Sequence, residues 1–211
     1  MLISLVYGAL LISALFSARQ LQRHAQSHSD TAKATLQAAA LSAGFVAIWA
    51  LSELVNQSDQ FAGTDIATLQ RLLSNLAYFV ALPFLATALF ISASSQHWQR
   101  PAWGRWLLGL FALFELLRRM EHGELYTQIV AVMISVSFLW VTLIIKEKAL
   151  RQASLLAGIN MAIALLVTGP GAVLASPLPD SQVLYPLLLT AALPLTGIAI
   201  QQTIQFHRSN V

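Results

Sequence analysis

The stretch WGRWLLGLFALFELLRRMEHGELYTQ, residues 103–128, is an apolar run long enough to enter a membrane. It ends abruptly in Glu115, Arg118, Arg119, Glu121, His122 and Glu124, and a second apolar run begins at once. Charge at this density is absent from the other apolar segments. Ionisable groups in or beside a bilayer are expensive to place, which makes them functional candidates.

Composition fixes the class of protein around this stretch. The chain is 57% hydrophobic and 10% charged, with a mean hydropathy of +0.67, whereas a soluble domain carries roughly 25% charged residues. One internal core cannot hide that much apolar surface, so the lipid bilayer is the expected partner. A chain of 211 residues accommodates about seven spans of roughly 20–25 residues with short connections, leaving no room for a soluble catalytic module. The net charge of +3 and pI near 9.6 come from basic residues in short loops between apolar runs. These are topology signals, and no nucleic-acid partner is expected. The absence of cysteine removes disulfides, thiolate metal sites and cysteine nucleophiles.

Taken in order, the apolar runs predict an all-α, seven-helix transmembrane bundle forming one domain over residues 1–211. The predicted helices are about 2–18, 35–57, 65–93, 102–122, 126–145, 149–169 and 182–205. The first lacks the basic n-region of a signal peptide and reads as a retained span. The polar connection after it carries Arg19, Arg23, His24, His28, Asp30 and Lys33. His24 and His28 share a helical spacing that suits a metal, but no third ligand is near. Ser42, Val46, Trp49, Glu53 and Asn56 form one stripe of the second helix, and Arg71, Asn75, Tyr78 and Leu82 form one stripe of the third. Pro83 predicts a kink in the third helix, and Pro194 lies well inside the seventh. Trp98, Trp103 and Trp106 with Arg100 and Arg105 suit the headgroup level of one leaflet. Ser154, Gly158 and Ala162 make a small-residue face for close helix contact. Gly169 to Gly171 is where the sixth helix should end.

Lysine and arginine concentrate in the first, third and fifth connections and the C-terminal tail, while the second and sixth have none. That alternation predicts an external N-terminus and a cytoplasmic C-terminus in a bacterial-type inner membrane. Glu53, Arg71, Asn75, Glu115, Arg118, Arg119 and His122 then all fall at the outer end of the bundle. The two arginines there oppose the charge rule, and Glu53, Glu115 and Glu121 are positioned to neutralise them. Glu115 and Arg119 are spaced for an i, i+4 pair.

Two readings of this cluster compete. In one, Arg71, Arg118 and Arg119 face an outward polar pocket for a small polar or anionic solute, held by Glu53 and Glu115, in transport or sensing. In the other, the cluster is an ion-pair network in a non-catalytic accessory subunit, with the Ser154/Gly158/Ala162 face docking a membrane protein partner. Catalytic constellations are weaker. All five histidines, His24, His28, His97, His122 and His207, lie at loops or span ends, and no Gly-x-Ser-x-Gly elbow occurs. No cofactor is expected. The span count and direction, with AYFVALPFLATAL (residues 77–89) in the third helix, resemble the microbial rhodopsins. Those proteins attach retinal to a seventh-helix lysine, and residues 182–205 contain none. The parallel covers architecture only.

Overall fold

The computed structural model describes residues 2–57, 64–94, 96, 98–119, 123–145, 147–173 and 181–209, with backbone only for Thr64, Arg118, Ala149, Ser181 and residues 207–209. Helix dominates and no strand occurs among these residues. Seven helical rods follow one another. They are α1 (Leu2–Ala25), α2 (Asp30–Asn56), α3 (Thr64–Leu76, then a π-helical segment Ala77–Ala81 and a further α-helical segment Leu82–Ala93), α4 (Arg100–Arg119), α5 (Gly123–Ile144), α6 (Lys148–Ile163, continued by a π segment Ala164–Thr168) and α7 (Ser181–Ser209).

The first helix outlasts its apolar run. Residues 19–25, expected in a solvated connection, remain helical because the buried stripe Leu10, Ala14, Ser17, Leu21 and Ala25 keeps helical spacing to the end. His24 and His28 turn their Nδ1 atoms to the carbonyls of Gln20 and His24, at 3.0 and 2.7 Å. Helix α2 packs most extensively on α1. Its buried face is built from Ala38, Ala39, Ala43, Ala47 and Ala50, and small residues let two backbones approach closely in lipid.

Of the prolines inside the rods, Pro83 and Pro194 have visible structural answers. Pro83 has no N–H and its ring crowds the preceding turn. The chain widens into the π segment Ala77–Ala81 immediately before it, all five residues buried, so the expected irregularity takes the form of a π bulge. Pro194 leaves the carbonyl of Thr190, four residues earlier, without its helical donor. The Ser13 hydroxyl of α1 donates to that carbonyl at 2.7 Å, the kind of rescue by a neighbouring helix that lipid demands.

Cross-helix pairs give the directions. Ser4 Oγ donates to Gln57 at 2.6 Å, joining the start of α1 to the end of α2. Tyr78 of α3 donates to the carbonyl of Thr127 at the start of α5, at 3.0 Å. Trp106 Nε1 of α4 donates to Thr87 at 3.0 Å, and Phe79 stacks on Phe114 at 5.0 Å, so α4 runs back along α3. After Thr168 the chain leaves the helix at Gly169, whose backbone is extended. The starts of α1, α3, α5 and α7 and the ends of α2, α4 and α6 thus share one end of the bundle.

Among the described residues six helices, α1, α2, α3, α5, α6 and α7, are long and apolar enough to cross a membrane, and the protein is a helical membrane protein. Seven spans were expected, and α4 is the rod that falls outside this set. Arg105, Glu115, Arg118 and Arg119 lower its hydropathy, and of its described side chains only Trp103 and Leu110 are buried. The Ser154/Gly158/Ala162 face, expected to dock a partner, is occupied within the bundle. Ser154 is fully buried, and a Cβ added at Gly158 would come within 3.6 Å of the Phe138 backbone of α5.

Candidate functional site

The expected site residues separate into a sheltered member and peripheral ones. Glu53, near the end of α2, takes a hydrogen bond from Trp49 Nε1 one turn earlier, at 3.0 Å, and one from Gln70 Nε2 of α3, at 2.6 Å. The i, i+4 spacing of Trp49 and Glu53 puts both on one helix face, and the amphipathic start of α3 brings Gln70 across to them. Both carboxylate oxygens are therefore engaged by neutral donors, and hydrogen bonds to an ionised group are the stronger class. Among the described residues Glu53 makes no ion pair. Its anticipated role of neutralising arginine is not seen there.

Trp49, the donor to Glu53, belongs to an aromatic group drawn from three helices. Tyr7 of α1 meets Trp49 edge to face, with centroids 5.7 Å apart, and Tyr185 of α7 lies 5.9 Å from Trp49 on another side. Tyr7, Trp49 and Tyr185 are all buried. Just beyond them Tyr78 meets the carbonyl of Thr127. Gly171 fits beside this pair only because it lacks a side chain: a Cβ there would collide with Thr127 O and Tyr78 Oη.

The other expected members lie outward. Glu115 and Arg119 form the i, i+4 pair that their spacing allows, at 2.9 Å, with side chains 41% and 75% exposed. Water or headgroups screen a pair so exposed, which makes it worth little. Arg71 is exposed and Asn75 half-buried. The Arg118 side chain and His122 lie outside the described residues. By the register of Trp106 on Thr87 and Phe114 on Phe79, the end of α4 returns to the level of Asn75.

Sequence reading missed Tyr7, Gln70 and Tyr185. Each is a polar side chain in or beside an apolar run, a weak signal that becomes strong only when three helices bring them together. Also unanticipated was a cleft of about 290 Å³ between α3, α4 and α5, lined by Pro83, Thr87, Trp106, Leu110, Val130, Met133 and neighbours, and almost wholly apolar. No group of three or more potential metal ligands occurs among the described residues. No family model matches the chain, and no curated protein or solved structure shows significant similarity to it.

Proposed function

We propose that the chain is a seven-traverse membrane protein with an external N-terminus, residing in a bacterial-type inner membrane. In this reading it binds a small polar solute at its outer end, in transport or sensing. The observation that carries the proposal is the half-buried Glu53 carboxylate, held by two neutral donors, one of them the Trp49 indole that packs with Tyr7 and Tyr185, and without a cation among the described residues. An anionic group beside aromatic faces favours a cationic or strongly hydrogen-bond-donating ligand. This shifts the solute class away from the anion suggested by the arginines, because Arg71 and Arg119 are exposed. Arg71, Asn75, Glu115, Arg118, Arg119 and His122 then form the rim. The antiparallel course of α4 along α3, from Trp106 at Thr87 to Phe114 at Phe79, supports α4 as a traverse.

A thermal-shift series on the purified protein tests the reading, using tetramethylammonium, choline and ethylammonium against acetate and phosphate. A cation should raise Tm in the wild type and leave Glu53→Gln unshifted. If only anions act, and an Arg118→Ala/Arg119→Ala variant abolishes their effect, the solute is anionic and the arginines bind it. If nothing shifts the wild type and a stoichiometric companion co-purifies, the accessory-subunit reading replaces this one. A reporter fused after Val211 should read cytoplasmic, and an external signal would reverse the site's side.

A further inference from the structure

The cleft between α3, α4 and α5 is bounded at each end by an aromatic clamp. At one end Phe79 is sandwiched between Phe114 of α4 and Tyr126 of α5, with centroids 5.0 Å apart on both sides. At the other, Trp103 meets Phe84 at 5.2 Å and Trp98 at 5.2 Å, while Trp106 is tied to Thr87. Between the clamps α4 stands off its neighbours. Leu110 and Leu113 face the cleft.

Of the polar side chains in the wall, Thr87, Trp106 and Ser137 are already satisfied, which leaves the Tyr126 hydroxyl at one end. Thr87 Oγ1 donates to Pro83 O at 2.8 Å and accepts from Trp106 Nε1, and Ser137 Oγ donates to Met133 O at 2.7 Å. A single hydroxyl does not make a polar site, and a water there would lack the two to four partners it needs. The volume of about 290 Å³ falls at the small end of the roughly 300–1,000 Å³ typical of ligand sites, which suits a linear chain better than a ring system. On α5 the lining runs from Tyr126 to Ser137, roughly 16 Å at ~1.5 Å per residue. That is about half of a ~30 Å hydrocarbon core, the depth of one leaflet. Two of the three walls, α3 and α5, are membrane-capable helices, so the surrounding medium is itself hydrocarbon chain.

We propose that this cleft is a binding site for one acyl chain of a membrane phospholipid, which wedges between α4 and the α3/α5 pair. The chain fills the space the two clamps leave open and completes the packing of α4. The site is separate from the Glu53 region and does not depend on the solute proposed there.

The test measures phospholipid retained by the protein through extensive detergent exchange, alongside labelling by a phosphatidylcholine carrying a diazirine on its acyl chain. The wild type should retain about one phospholipid per chain, with labels concentrated on Leu110, Leu113, Met133 and Ser137. Ser137→Phe and Leu113→Trp, at partly exposed positions that fill the cleft, should reduce retention at least fivefold. Leu108→Phe, on the exposed side of α4, should not. Retention that is absent in the wild type or equal in the filled variants overturns the proposal. Should a filled variant fail to fold, wild-type labelling decides: labels confined to outward residues such as Leu143 and Leu108 reject the site. A Glu53-dependent Tm shift should survive in Ser137→Phe, so either idea can fail without the other.

Discussion

Helices α3 and α4 lie side by side and antiparallel, yet they are held by different means. From Ala77 to Ala93 almost every residue of α3 is buried, with Val80, Ala81, Ala88 and Leu89 at 0% exposure. Helix α4 keeps Leu108, Phe111, Leu113 and Leu116 exposed and is fastened mainly through aromatic contacts near its ends. The difference teaches that apolarity does not by itself set a helix's place in a membrane bundle. In lipid, burial gains little from the hydrophobic effect, and close packing of small and complementary side chains decides which helix sits inside. The α3 stretch offers alanines on several faces, whereas α4 offers bulky leucines and phenylalanines interrupted by charge.

The contrast can be broken by substitution, with stability read from reversible unfolding in mixed detergent micelles. The largest effect should come from Gly171→Val, which drives a side chain into the Tyr78–Thr127 contact between α3 and α5. A loss of about 3 kcal/mol is expected, and a neutral result would show that this junction can open. Phe138→Ala, at a fully buried position of α5, should cost about 3 kcal/mol through the cavity left behind. Tyr78→Phe removes one hydrogen bond to Thr127 O and should cost about 1 kcal/mol. On α4 the effects should be small. Leu108→Ala, at a position 69% exposed, should stay within about 0.5 kcal/mol. Arg119→Gln, which breaks the exposed pair with Glu115, should change stability by a few tenths at about the same scale. A large loss from either would mean that α4 is integral to the bundle in the way α3 is.

The site was only partly readable beforehand. Glu53 and Trp49 share a stripe by their spacing alone, and Glu115 pairs with Arg119 for the same reason. These are one-helix facts. Gln70 joins Glu53, and Tyr7 and Tyr185 join Trp49, from three other helices, and no periodicity within a helix announces them. The apolar cleft was invisible for a related reason: it is a gap, defined by how far α4 stands from its neighbours rather than by any residue pattern.

Hydropathy and helical period, both local properties, determined from the sequence alone that this is a helical membrane protein and roughly where its helices lie. Charge placement added an expectation of orientation. Only the tertiary structure decided what meets across helices. Pro194 shows the division. The sequence states that a proline there deprives the Thr190 carbonyl of its donor, because that follows from the ring itself. That Ser13, from the opposite end of the chain, supplies the replacement follows from the packing of α1 against α7, which the bilayer's intolerance of an unpaired carbonyl requires but does not specify.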